Sequence, residues 1–167
     1  EKTQERPSDL YEYRLERFFS YRPLKYPIRG TVGIPRALNM FEQYPFWHVF
    51  FTRLGFQTVL SSPSSKKLYE KGLETIPADT VCYPAKLMHG HIKDLIEKNP
   101  DYIFYPLLPY EKKEFKDADN CYNCPIVASY SETIKNNTEF PQNVKFLNPC
   151  LPFHEKRRLI QRLHEEF

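Results

Sequence analysis

Short segments rich in β-branched and aromatic residues alternate along this chain with longer segments of helical spacing. The predicted strands are residues 31–34, 57–61, 102–105 and 144–147. Helices are predicted over residues 46–54, 64–72, 84–98, from 125 onward and over 153–167, with Pro45, Pro84 and Pro125 at or near a first turn. Because strands joined through helices pair in parallel by right-handed crossovers, this alternation predicts an α/β fold.

The expected architecture is a mainly parallel sheet of about four strands with helices on both faces, a Rossmann-like or flavodoxin-like three-layer domain. A leading helix is predicted over residues 8–19, capped by Ser8, and Pro23 and Pro27 prevent it from continuing. Residues 1–27 are therefore assigned to a linker or leading helix, and residues 28–167 to a single domain. Since the chain opens on Glu1 rather than Met, we expect it to be a fragment of a longer multidomain protein.

Charge and hydropathy narrow the class of protein. The chain has 24 basic and 21 acidic residues, and its short basic clusters at Lys66-Lys67, Lys112-Lys113 and Lys156-Arg157-Arg158 have glutamates beside them. Solvated faces explain these clusters, so no nucleic-acid partner is expected. No apolar run is long enough to span a membrane and no signal peptide opens the chain, so a cytoplasmic location is expected. In that compartment cysteines serve more often as thiols, metal ligands or redox groups than as structural disulfides.

Three of the four cysteines stand just before a proline. Cys82 precedes Tyr83-Pro84, Cys124 precedes Pro125, and Cys150 precedes Leu151-Pro152. Because proline favours the first turn of a helix, each of these cysteines is predicted at or just before a helix N-terminus. In a parallel sheet such positions gather at the carboxyl edge of the strands, where these folds bind their ligands.

Thiols at helix N-termini suit a metal centre. The free amides there favour the thiolate and can hydrogen-bond to the sulfurs of an anionic cluster, so an iron–sulfur cluster is the expected cofactor. Cys121 forms a lone C-x-x-C pair with Cys124, which is a weak signal. Buried apolar thiols remain an alternative for Cys121 and Cys150, and structural zinc remains another for the set.

Four further residues are candidates for cofactor binding. Arg36 follows the first strand and could hold an anion, and Lys86, His89 and His91 follow Cys82 by about one to two turns. Lys86 could neutralise a cluster or bind a phosphate, and the histidines could ligate a metal or carry protons. Ordinary surface roles remain open for all four. The chain lacks both familiar glycine-rich phosphate loops, so ATP is not expected to bind, and the polar segment 109–123 is predicted to be a long loop or lid.

Several blocks of sequence resemble a known family. They are Gly33-Ile34-Pro35-Arg36-Ala37-Leu38, Phe46-Trp47, Leu54-Gly55-Phe56, Cys82-Tyr83-Pro84-Ala85-Lys86 with His89-Gly90-His91, and Asn123-Cys124-Pro125-Ile126-Val127 with Tyr130. In this order they resemble the activase-related domain of 2-hydroxyacyl-CoA dehydratase systems, the module known as DUF2229. The resemblance covers residues from about 28 to 137.

The resemblance implies a part in ATP-driven electron transfer at low potential. The implied partners are an ATPase activator domain in the same parent chain and a cluster-bearing dehydratase or reductase, and a homodimer is also considered. By matched motif, Cys82 and Cys124 are the implied cluster ligands. Members often carry a cysteine after the Tyr-Pro of the third strand, whereas this chain has Leu107 there, so Cys150 or Cys121 would have to substitute.

Two functions of different classes follow. The first is a cluster-carrying or electron-transfer domain of an activator-like protein, with no complete catalytic site of its own. The second is a non-redox interaction or regulatory domain that binds a partner or small ligand at the carboxyl edge of its sheet. A weaker third possibility is a dehydratase-like subunit that acts directly on a CoA thioester.

Overall fold

The computed structural model describes residues 9–167 of the chain. In chain order its elements are α1 (Leu10–Phe19), β1 (Thr31–Ile34), α2 (Asn39–Arg53), β2 (Gln57–Leu60), α3 (Lys66–Gly72), a 3₁₀ turn (Leu73–Thr75), α4 (Tyr83–Lys98), β3 (Tyr102–Phe104), α5 (Pro125–Asn137), β4 (Lys145–Leu147) and α6 (Lys156–Glu166). Within the described part the four strands form one sheet in the order β2-β1-β3-β4, and every neighbouring pair is parallel. The predicted α/β fold with a parallel four-stranded sheet is therefore confirmed.

Side chains that alternate along the strands separate the two faces of the sheet. Phe104 of β3 packs against Trp47 and Phe51 of α2, with ring centroids 4.6 and 5.1 Å away. Phe167, directly after α6, contacts the rings of Phe51 and Phe104, so α2 and α6 cover one face. On the opposite face, a Cβ built on Gly33 of β1 would lie 3.2 Å from Leu95 of α4. The domain therefore has three layers, as in Rossmann-like and flavodoxin-like folds.

The ends of β1 and β3 are joined by one aspartate. Asp101, directly before β3, accepts hydrogen bonds from the backbone N–H and the hydroxyl of Thr31, at 2.7 and 2.8 Å. These bonds lower the pKa of Asp101 below its usual value. The central pair of strands is thus anchored at the end opposite the carboxyl edge.

Helix α3 crosses α4 at two glycines. A Cβ on Gly72 would overlap the backbone nitrogen of Gly90, and a Cβ on Gly90 would overlap the carbonyl oxygen of Leu68. The two backbones therefore meet without intervening side chains. This crossing places the histidines on either side of Gly90 inside the protein, where both are fully buried.

Several predicted element boundaries are wrong. Helix α2 begins at Asn39, so Pro45 lies inside it instead of opening it. The buried stripe of Met40, Tyr44 and Trp47 extends the apolar face upstream of the proline, and this packing outweighs the lost amide hydrogen bond.

Two predicted helix starts also differ. Asp9 caps α1 by accepting from Tyr11 and Glu12, and Ser8, the predicted cap, lies outside the described residues. Ser65 caps α3, so this helix begins after residue 64, where the predicted helix starts. In the part of the chain that is described, no helix is both long and apolar enough to cross a membrane.

Candidate functional site

Cys82 and Cys124 occupy the same position on two neighbouring helices. Each is the N-cap of its helix, α4 for Cys82 and α5 for Cys124, each has extended backbone angles, and each is followed by a proline in the first turn. Neither thiol caps its own helix by a hydrogen bond, and both residues are exposed. The predicted helix-start positions are therefore confirmed for these two cysteines. In a parallel α/β sheet the N-termini of such helices lie at the carboxyl edge of the strands.

Tyr105 is a buried tyrosine whose pKa is influenced by both Cys82 and Cys124. It follows β3 directly, its side chain is fully buried, and within residues 9–167 its hydroxyl has no hydrogen-bond partner. Burial raises the pKa of Tyr105, and the neighbouring Tyr130, Cys124 and Cys82 raise it further. Because these groups act on it electrostatically, its hydroxyl must lie near both thiols. A buried hydroxyl without a hydrogen-bond partner is costly, so the position of Tyr105 calls for an explanation.

His89 connects this site to the protein interior. Its Nδ1 lies 2.8 Å from Thr75 Oγ1, and the Thr75 hydroxyl donates to the carbonyl of Gly72 at 2.9 Å. The Thr75 Oγ1 must therefore accept a hydrogen bond from Nδ1–H, which leaves Nε2 to accept from the hydroxyl of Tyr130 at 2.9 Å. Burial lowers the pKa of His89 to about 4, so the ring is neutral at pH 7.

Replacing Tyr130 by phenylalanine tests this hydrogen-bond chain. The buried Nε2 of His89 loses its donor, so the free energy of unfolding should fall by about 1–2 kcal/mol. Urea denaturation of Tyr130→Phe beside the parent measures the change. Tyr26→Phe is the control, because Tyr26 is 74% exposed and should be neutral. Equal stability of Tyr130→Phe and the parent would show that the hydroxyl does not pair with His89.

His91 is held in a second buried network. Its Nδ1 lies 2.7 Å from Ser61 Oγ and its Nε2 lies 3.0 Å from Ser64 Oγ. Burial lowers the pKa of His91 to about 4, with Asp94 opposing that shift. In both histidines the two ring nitrogens are occupied by side chains of this chain, and neither nitrogen is free to bind a cofactor in this arrangement.

The two predicted basic residues lie in different surroundings. Arg36 places its guanidinium 4.0 Å from the centre of the Phe19 ring of α1, and its Nε is buried without a partner in residues 9–167. Burial lowers the pKa of Arg36. Lys86 lies in the first turns of α4, where its backbone N–H donates to the carbonyl of Cys82. Of the two, only Lys86 lies close in sequence to one of the two cysteines, four residues after Cys82.

Cys150 is not at a helix start, contrary to the prediction. Helix α6 begins at Lys156 with Glu155 as its N-cap. Hydrogen bonds with the backbone of Leu107 hold residues 149–151 in extended form, which keeps Pro152 from opening a helix at this point. Leu107, at the position where the resemblance implies a cysteine, is therefore the bridge partner of Cys150.

Cys121 lies in the connection between β3 and α5, with its carbonyl accepting from the N–H of Glu111. Across residues 9–167, no three His, Cys, Asp or Glu side chains are grouped so that they could hold a metal ion. Cys82 and Cys124 share the helix N-cap position, and within residues 9–167 the structure does not group Cys121 or Cys150 with them as a ligand set.

Sequence reasoning missed the buried partners of the pair, Tyr105 and Tyr130, together with Thr75. Tyr105 was assigned to a strand and Tyr130 to a helix face, which gives no sign that their hydroxyls converge. The available signal was their position in the sequence: Tyr105 is the last residue of a predicted strand, and Tyr130 lies six residues after Cys124 in the helix that begins there.

Comparison with known proteins gives one match. The family model described as the CoA enzyme activase uncharacterised domain, DUF2229, matches residues 31–167. No curated protein and no solved structure matches the chain. The matched span includes all four strands and both cysteine-capped helices. The predicted resemblance is thus confirmed, and the chain belongs to the DUF2229 family of CoA enzyme activase domains.

Proposed function

We propose that this domain supplies Cys82 and Cys124 as two ligands of an iron–sulfur cluster whose other ligands come from a second subunit or domain. The cluster would serve an activator-type electron transfer toward a CoA-dependent dehydratase or reductase. In the parent protein an ATPase activator domain would drive that transfer. Membership of the activase family supports the activator role.

The single observation that carries the proposal is the geometry around the two thiols. Both sulfurs stand at helix N-caps, exposed to a partner, and the hydroxyl of Tyr105 near them is buried without a hydrogen bond in residues 9–167. Thiolates are the usual ligands of iron–sulfur clusters, and hydrogen bonds to the sulfurs tune the reduction potential. In the proposed complex the hydroxyl of Tyr105 would donate to a sulfur of the bound group.

The number of ligands explains why a partner is needed. Cubane clusters take about four cysteine ligands, and the proposal assigns two of them to this chain. The chain fits half of such a site. When bound, the cluster would accept and release single electrons. The domain would fix the positions of two sulfur ligands, and the buried surroundings of Tyr105 would exclude water from that side of the cluster.

Anaerobic reconstitution with ferrous iron and sulfide tests the proposal. With no other partner present, a second copy of the chain is expected to complete the ligand set, so iron binding should accompany a doubling of mass by light scattering. The double variant Cys82→Ala/Cys124→Ala should lose the bound iron, the sulfide and the EPR signal of the reduced cluster.

The matched control is Cys121→Ala/Cys150→Ala, which removes the same number of thiols from the same edge of the sheet. It should retain both the iron and the change in mass. Iron binding that is the same in the two double variants would refute the proposed ligands, as would a chain that takes up no iron at all.

The second candidate function, a non-redox domain that binds a small ligand, has its own supporting observation. A cleft opens at the same edge of the sheet, and its lining is distinct from the cysteine pair.

A further inference from the structure

A cleft of about 670 Å³ opens at the carboxyl edge of the sheet. One wall is the start of α2, with Asn39 and Gln43, and the other is the connection 109–123, with Glu111 and Asn123. Its volume falls within the range of about 300–1,000 Å³ that is typical of small-molecule sites. The cleft therefore has room for a ligand the size of a nucleoside.

The cleft lies where the topology of the sheet reverses. Strands β1 and β3 are neighbours, but the chain leaves β1 toward β2 on one side and leaves β3 toward β4 on the other. The two connections diverge to opposite faces and leave a crevice between them. Open α/β sheets bind their ligands at such a switch point.

Asn39 has a carboxamide without hydrogen-bond partners. Both its Oδ1 and its Nδ2 are buried, and neither atom is paired within residues 9–167. Leaving a buried polar group unpaired costs free energy, and native structures rarely do so without a reason. Since the terminal torsion of asparagine is soft, the carboxamide can turn toward a ligand in the cleft and offer one acceptor and two donors.

Glu111 supplies a fixed acceptor on the opposite wall. Its Oε1 accepts from Gln43 at 2.8 Å and from Asn123 at 3.3 Å. In the described chain the hydrogen bonds to this carboxylate all reach Oε1, and no cationic side chain pairs with it. Burial raises the pKa of Glu111. The unused Oε2 is suited to accept from an N–H group of a ligand.

Aromatic residues complete the lining. Phe115 and Tyr122 lie on the wall formed by the connection, and both are exposed, at 75% and 66%. Such rings offer surfaces on which a flat heterocycle can stack. Lys112 and Lys113 are the basic residues of the lining, and three glutamates balance them, so the cleft is poorly suited to a polyanion.

We propose that this cleft binds a planar nitrogen heterocycle with an exocyclic amino group, of the nucleobase type. Asn39 pairs with the adjacent donor and acceptor on the edge of the ring, Glu111 accepts from the amino group, and Phe115 or Tyr122 stacks on its face. Carboxamides recognise adenine edges by this pairing of donor and acceptor. Neither Cys82 nor Cys124 lines this cleft.

Calorimetry and NMR titration of the 167-residue chain with adenosine, cytidine and inosine test this assignment. Adenosine or cytidine should bind and shift the amide signals around Asn39 and Glu111. Inosine has the purine ring of adenosine without the amino group, so its affinity should be at least about tenfold lower than that of adenosine if the Glu111 hydrogen bond forms.

Two substitutions locate the contacts. Asn39→Leu and Glu111→Gln should each lower the affinity for the nucleoside that binds best by about tenfold. Asn39→Asp is a second variant at position 39, and it preserves the size of the side chain. Glu114→Gln is the matched control, because Glu114 lines the same cleft and is exposed. Failure of all three nucleosides to bind at millimolar concentration would overturn the proposal. Binding that is unchanged in Asn39→Leu and Glu111→Gln would overturn it as well.

Discussion

Acidification from pH 7.5 to 4.5 is expected to lower the free energy of unfolding by about 5 kcal/mol, because two histidines are buried in the neutral form. His89 and His91 are both fully buried, and burial lowers the pKa of each to about 4. In the unfolded state each ring takes up a proton below a pKa of about 6.5. In the folded state burial keeps the ring neutral until the pH falls to about 4. Domains of this size are stable by about 5–15 kcal/mol, so the fold should be close to its limit at pH 4.5.

The direction follows from proton binding. When the folded pKa is below the unfolded pKa, the unfolded state binds more protons, so stability is present above pH 6.5 and is lost as the pH falls toward 4. Asp94 does not contribute in this window, because hydrogen bonds from Ser62 and the charge of Lys98 oppose its burial and lower its pKa to about 2. The loss expected from Asp94 lies below pH 4.

Urea denaturation between pH 7.5 and 4.5 measures the loss. His89→Gln removes one of the two titrations with a pKa near 4, so about half of the pH dependence that those two cause should disappear, while the smaller share of His48, whose pKa burial also lowers, remains. His164→Gln, a change at an exposed histidine of α6, should keep all of it. A parent protein with the same stability at both pH values would contradict the buried neutral state of the two rings.

Replacing Gly90 by alanine is expected to destabilise the fold by about 3 kcal/mol, near the upper end for an overpacked site. The new Cβ would overlap the carbonyl oxygen of Leu68, which is backbone and cannot turn away. Helices α3 and α4 would have to separate, and the histidines on either side of residue 90 would lose their hydrogen-bond geometry. Alanine favours helices over glycine by about 1 kcal/mol, which offsets only part of the cost.

Lys86→Ala is the control for this change, because it places alanine at a partly exposed position of the same helix. Its effect on the free energy of unfolding should stay within about 0.5 kcal/mol. Thermal and urea unfolding of both variants provide the comparison. If Gly90→Ala is as stable as Lys86→Ala, the close approach of the two helices is wrong.

Local signals were enough to predict the sheet and the two cysteine-capped helices. Proline after a cysteine is a short-range signal, and it holds at Cys82 and Cys124 because nothing else competes for the backbone there. At Cys150 the same signal failed, since the extended segment pairs with Leu107. That pairing joins residues 43 positions apart, and no local pattern encodes it.

The burial of the residues around the site could not be predicted from local patterns either, because it also depends on contacts between residues that are distant in sequence. His89 and His91 stand two residues apart on α4, so they point to different sides of the helix, and no local pattern shows that both sides are buried. Their burial depends on Gly72 and Gly90 meeting across two helices. The unpaired hydroxyl of Tyr105 depends in turn on where α4 and α5 begin, which is a property of the assembled layers.

The order of the strands has a consequence for how the chain reaches its native state. β1 pairs with β2, which follows it by 26 residues, but its other neighbour β3 pairs Val32 with Tyr102, 70 residues later. Closing so long a segment costs chain entropy before the stabilising contacts between β1 and β3 can form. We therefore expect slow folding, with the pairing of β1 and β3 as the rate-limiting step. During synthesis, β1 emerges with one edge unpaired and keeps it until β3 has left the ribosome. That edge is the place where premature association between nascent chains would begin.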